Sequence, residues 1–135
     1  MNDEASHEAR PSVVIVEDQE AIATLVEEVL TDAGFDAHQA PSPREAAAFA
    51  ARIDPGVIVL DVMMADLNGW QVLDQLRADP VTRETPVLIT SAVYDRPGLR
   101  ALPRGGPVRF APKPFDVADF IQAVADLVAG ESGGV

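Results

Sequence analysis

Val57-Ile58-Val59-Leu60, closed by Asp61, is the stretch on which the reading of the fold turns. Four β-favouring apolar residues without a polar break read as a strand buried on both faces, the pattern of a parallel sheet covered by helices. A carboxylate just past such a strand stands at the carboxyl edge of the sheet, where open α/β folds keep their sites. The arrangement recurs outward in both directions. Glu17-Asp18 follow Val13-Val14-Ile15-Val16, and Ser91 follows Val87-Leu88-Ile89-Thr90. Lys113, the only lysine of the chain, comes after Val108-Arg109-Phe110-Ala111.

Helical periodicity fills the spaces between these runs. A first strand is predicted over about Ser12 to Val16 and a helix over about Glu20 to Ala33, where Ile22, Leu25, Val26, Val29 and Leu30 share one face. Gly34 can end that helix in the left-handed conformation, with Phe35 supplying an apolar contact. A short strand is expected near Ala37 to Ala40. Ser42-Pro43-Arg44-Glu45 matches a capping box with proline at the first helical position, opening a helix that runs to about Ile53. Pro55-Gly56 turn the chain into the third strand. Val62 to Asn68 read as a loop and Gly69 leads into a helix from Trp70 to about Ala78, which Asp79-Pro80 stops. A last helix is predicted over Val117 to Val128, with Asp116 as its N-cap. Between the fourth and fifth strands the alternation asks for one more helix. Pro97, Gly98, Pro103, Gly105, Gly106 and Pro107 occupy that segment and limit it to one or two turns.

A chain of 135 residues, 47% hydrophobic, is one ordinary domain with a substantial core. The predicted organisation is a flexible tail over 1–10, a folded domain over 11–129 and a flexible tail over 130–135. Zero cysteines exclude disulfides, thiolate metal sites and cysteine nucleophiles. No run approaches the ~20 apolar residues of a membrane span, and the polar, acidic start lacks an apolar signal core. A cytoplasmic protein without membrane contact is the expectation. The net charge of −12 argues against nucleic-acid binding. Arg96, Arg100, Arg104, Arg109 and Lys113 are five of the ten basic residues, and no acid lies among them. That stretch carries +5 and the remainder −17. It reads either as a solvated arginine-rich loop or as a contact surface for an acidic partner.

Alternating β and α elements joined by short links give a parallel sheet with helices on both faces, a three-layer α/β sandwich. In a flavodoxin-like sheet of order 2-1-3-4-5, strands one and three are neighbours at the switch point, and Asp18 faces Asp61 across the crevice. Such carboxylates repel by roughly 4 kcal/mol at ~4 Å and an effective dielectric near 20. The cluster of Glu17, Asp18 and Asp61 therefore calls for a cation, and oxygen-only ligands suit Mg2+. Carboxylates form aspartyl-phosphates, a metal neutralises charge during in-line phosphoryl transfer, lysine adds a point positive charge and the Ser91 hydroxyl can donate to a phosphoryl oxygen. Taken singly each residue has an ordinary role: Glu17-Asp18 at a helix amino end, Asp61 in a turn, Lys113 in a loop, Phe110 in the core. Their common place at one sheet edge is what sets them apart.

At this point the chain resembles the receiver domains of two-component response regulators, over about Ser12 to Val128. The resemblance is carried by Val16-Glu17-Asp18, Leu60-Asp61-Val62-Met63-Met64 with Asn68-Gly69 after it, Thr90-Ser91-Ala92 and Lys113-Pro114-Phe115. It implies a (βα)5 fold in which Asp61 is the phosphoacceptor, supplied by a histidine kinase or histidine phosphotransfer protein. Asp18 would ligate Mg2+ directly and Glu17 through water, with Asp61 and the Met63 carbonyl completing the protein ligands. Lys113 and Ser91 would hold the phosphoryl group. Ser91 and Phe110, the latter at the switch-aromatic position, would relay phosphorylation toward the fourth strand and last helix. A cis Lys113-Pro114 bond is also implied. The chain departs from the family pattern at Ala65, where proline is usual, at Asn68, where aspartate is common, and in the degenerate fourth helix.

The expected function is a stand-alone receiver domain of a phosphorelay, a monomer or weak homodimer rather than an enzyme, acting on a downstream protein partner. The alternative is an adaptor that uses the receiver fold without phosphorylation. An aspartate-nucleophile phosphohydrolase typically carries a second aspartate two residues on, where this chain has Met63. A flavin carrier is opposed by the acidic loop after strand one, which would repel a phosphate.

Overall fold

Every residue of strand β3 (Val57–Asp61) is buried, and the rest of the molecule is arranged around that fact. The structure, a computed structural model, describes residues 10–62, 69–91, 106–112 and 116–130. The described elements, in chain order, are β1 (Ser12–Val16), α1 (Glu20–Asp32), β2 (Asp36–Gln39), α2 (Ala46–Ile53), β3, α3 (Gly69–Ala78), β4 (Val87–Ser91), β5 (Val108–Pro112) and α4 (Val117–Val128). All strand pairings are parallel and the order is β2-β1-β3-β4-β5, the expected flavodoxin-like arrangement.

The period of two along each strand sorts side chains onto the two faces. Val13, Ile15, Val57, Val59 and Leu88 pack with Ala23, Val26 and Leu30 of α1 and with Phe120, Ala123, Val124 and Leu127 of α4. Their neighbours Val14, Val16, Ile58, Leu60, Val87 and Ile89 pack on the opposite face with Ala46 and Ala50 of α2 and Val72, Leu73 and Leu76 of α3. Two apolar layers therefore enclose the sheet, and each fully buried aliphatic side chain contributes roughly 1.5–3 kcal/mol of transfer free energy.

Local signals set the helix ends. Gly34 has φ +99°, its N–H donates to the Thr31 carbonyl at 3.0 Å, and the Phe35 N–H donates to the Leu30 carbonyl at 3.0 Å. These are the two bonds of a Schellman turn, and Phe35 is buried as the accompanying contact. Asp116 caps α4 by accepting from the Asp119 N–H at 3.1 Å. Asp54 closes α2 with φ 53°, a conformation that aspartate tolerates better than most residues.

Four boundaries differ from expectation. Regular helix α2 begins at Ala46 rather than Pro43. Ser42 Oγ does accept from the Glu45 N–H at 3.2 Å, but the first turn closes on i+3 bonds, Glu45 to Ser42 and Ala46 to Pro43, before the wider α pattern starts. β2 begins one residue early, because Asp36 pairs with Ser12 and its N–H donates to the Pro11 carbonyl. Asp61 and Ser91 lie within the ladders as last strand residues, since β3 and β4 pair one position further than their apolar runs. The tails at 1–9 and 131–135 and the expected degenerate helix between β4 and β5 fall outside the described residues.

Candidate functional site

Register places the acids. Val16 of β1 pairs with Leu60 of β3, so Glu17 and Asp61 leave the sheet side by side. Oxygens of Glu17, Asp18 and Asp61 lie within 4.8 Å of one another. Asp61 is buried at 2% exposure, Glu17 is half-buried and Asp18 is exposed, which grades the cluster from sheet edge to solvent. Glu17 accepts from the Gln19 N–H at 3.2 Å. Gln19, not either acid, is the N-cap of α1, and its side chain makes no cap bond. The acids therefore stand ahead of the helix, turned toward Asp61.

The donor set is three carboxylates, all hard oxygen ligands. Oxygens sharing one octahedral Mg2+ ion stand roughly 3–4 Å apart. Side chains already within 4.8 Å come within that reach by small rotations, so the residues present fit such an ion. Neutralising Asp18 removes one negative charge and one like-charge repulsion from the cluster. Asp18→Asn is expected to weaken Mg2+ binding while leaving stability in EDTA equal to wild type or up to about 1 kcal/mol higher. Titration with Mg2+ and thermal melts in EDTA check the pair of results; a clear loss of stability in EDTA would make the acid a structural group.

The backbone beyond Asp61 is held by two neighbours. The Val62 N–H donates to the Thr90 carbonyl at 3.2 Å, and the Gly69 N–H donates to the Val62 carbonyl at 3.2 Å. A Cβ on Gly69 would stand 2.4 Å from Val62 Cα and 2.6 Å from the Asp61 carbonyl oxygen. Helix α3 thus starts pressed against the backbone of the acidic strand end, with room for glycine and nothing larger. The sequence marked Gly69 as a helix lead-in; its close approach required the tertiary structure.

Across the sheet, Asp61 pairs with Thr90, and Ser91 pairs with Pro112 at the end of β5. The Ser91 backbone is therefore one residue beyond Asp61's partner, while its side chain is outside the description. Phe110 is 37% exposed, so it is not the core residue its type suggests. It shares a sheet face with Val108, the face toward α3. Arg109 takes the other face and pairs with Asp126 of α4 at 3.3 Å. Of the surface arginines named from sequence, Arg109 is thus engaged with its own domain. Arg96, Arg100, Arg104, the Met63 carbonyl, Lys113 and the Lys113-Pro114 bond lie outside the described residues.

Comparison with known proteins fits this geometry. The family model for the response regulator receiver domain matches residues 13–125. The chain belongs to that family. Among curated relatives, the receiver is 32% identical over 118 residues to the DNA-binding dual master transcriptional regulator RpaA of Synechocystis, a match covering 87% of this chain and 49% of RpaA. It thus spans about half of that protein. It is 27% identical to the polar-differentiation response regulator DivK of Brucella ovis, covering 84% of this chain and 92% of DivK. Its fold superposes on the receiver domain of Francisella response regulator 1452 with a TM-score of 0.77 at 29% identity, covering 90% of this chain and 98% of the other. Among the described residues of this receiver domain, no helix is long and apolar enough to cross a membrane.

Proposed function

We propose that this receiver domain accepts a phosphoryl group on Asp61 from a phosphohistidine of a histidine kinase or histidine phosphotransfer protein and signals through protein contacts. The observation that supports it most is the convergence of Glu17, Asp18 and the buried Asp61 within 4.8 Å at the sheet edge. An Asp61 carboxylate oxygen attacks phosphorus in line with the histidine nitrogen. The new O–P bond forms as the N–P bond breaks, and the electron pair leaves with the imidazole, which takes up a proton. Glu17, Asp18 and Asp61, with the Met63 carbonyl, are the proposed Mg2+ ligands. Bound Mg2+ would offset the charge that gathers on the transferring oxygens. Ser91 and Lys113 are proposed to hold those oxygens, and Phe110 to respond to the change at Ser91.

The match to DivK, which covers 92% of that response regulator, supports signalling by the receiver fold itself. The arginine-rich stretch, less Arg109, remains the proposed surface for an acidic partner.

Incubation with acetyl phosphate and Mg2+ is expected to add the mass of one phosphoryl group, and EDTA is expected to abolish the addition. A chain that gains no phosphoryl group but still binds its partner would be the phosphorylation-independent adaptor instead.

A further inference from the structure

Arg77 lies at the end of α3 opposite to Gly69 and does not belong to the acidic site. Its Nη1 donates to the carbonyls of Thr82 at 3.0 Å and Thr85 at 2.7 Å, and its Nη2 donates to the Pro107 carbonyl at 3.2 Å. The Pro107 carbonyl also accepts from the Val87 N–H at 3.0 Å, where the pairing of β4 with β5 begins. The guanidinium is therefore joined to the first rung of that ladder. Gly106 crosses it with φ +79°, and a Cβ there would lie 2.7 Å from Arg77 Cζ and Nη2 and 2.9 Å from the Arg83 carbonyl. Burial lowers the Arg77 pKa and Glu84 opposes that shift; an arginine still remains charged at neutral pH. Its three bonds are thus charge-assisted. A planar fork can reach carbonyls on separate segments, and a lysine ammonium cannot reproduce that reach.

Both ends of α3 are consequently tight. One end stands on the Asp61–Val62 backbone with no clearance for a methyl group, and the other holds the entry to β5. Ten helical residues span about 15 Å between them. Packed elements of this kind move as bodies rather than deform. We propose that α3 is a strut linking Asp61 to β5, with Arg77 as the positioning residue that makes the link. Occupation of the acidic site then moves β5, and Phe110 with it, by a path separate from the Ser91 hydroxyl. The inference rests on the proposed phosphorylation of Asp61.

The test records backbone amide shifts of the whole chain on adding Mg2+ and acetyl phosphate, with intact mass measured in parallel. In the wild type, Val62 and Gly69 near the acceptor and Val108 and Phe110 in β5 are all expected to move. In Arg77→Lys, phosphoryl uptake and the Val62 and Gly69 shifts are expected to persist while the Val108 shift is lost and the Phe110 shift falls to the part carried through Ser91. Gly106→Ala, which displaces the guanidinium from the other side and keeps its donors, is expected to give the same separation. A β5 response of wild-type size in either variant overturns the strut. So does a wild type that responds at Val62 and Gly69 but not in β5. A wild type that gains no phosphoryl mass and moves no amide overturns the phosphoacceptor reading, and the strut with it.

Discussion

Asp61→Asn is expected to take up no phosphoryl group from acetyl phosphate under conditions that fully modify the wild type. The amide keeps the volume of the carboxylate but loses its charge and its nucleophilic oxygen. The expectation is specific to this position. Asp18 lies close enough to share an ion with Asp61, yet it is exposed, whereas Asp61 is 2% exposed at the end of the central strand. Asp61 is also fixed on both sides, paired with Thr90 across the sheet and backed by Gly69. A reacting group held in one geometry gains the large rate factor of orientation. Folding should survive the change, because removing one charge from a three-carboxylate cluster relieves repulsion. Intact mass and a thermal melt of Asp61→Asn are the two measurements. Equal phosphoryl incorporation in the variant would place the acceptor elsewhere.

Gly69→Ala is expected to be the most damaging single methyl group that can be added near the site. Both of its closest contacts, at 2.4 and 2.6 Å, are backbone atoms of Asp61 and Val62, and neither can rotate away. Relief requires α3 to withdraw from the sheet edge, which disturbs the packing of Val72, Leu73 and Leu76 in the same cluster as Val62. A loss of about 3 kcal/mol, or roughly 10 °C in melting temperature, follows from the usual cost of overpacking in a domain of this size. Phosphoryl uptake at temperatures where the variant is folded should also slow, since the displaced backbone carries Asp61, the proposed acceptor. Gly34→Ala serves as the comparison. Its Cβ meets nothing within 4 Å and faces only the strain of φ +99°, which costs about 1–2 kcal/mol. If Gly69→Ala melts no lower than Gly34→Ala, close approach at the Asp61 edge is not what keeps glycine there.

Much of this molecule was legible before any coordinates. The runs at Val13–Val16, Val57–Leu60 and Val87–Thr90 are strands because no polar residue interrupts them, and such strands require cover on both faces. Asp116 and Gly34 declared helix ends through chemistry that acts within a few residues. The acids at 17, 18 and 61 could be placed at one edge because each follows a strand and parallel strands share a direction. What lay beyond sequence depends on atoms far apart in the chain. The 4.8 Å cluster needs the β1–β3 register. The closeness of Gly69 to Asp61 depends on where α3 docks. Arg77 carries no mark in the sequence, and its role follows from the fold that brings Thr82, Thr85 and Pro107 around it. Arg109 looked like one of five surface charges until strand alternation turned it toward Asp126. Sequence alone determined which of the described elements form and which edge carries the acids, because periodicity and capping are short-range. Tertiary structure alone decided which groups touch, because contact depends on docking and register set by the whole core.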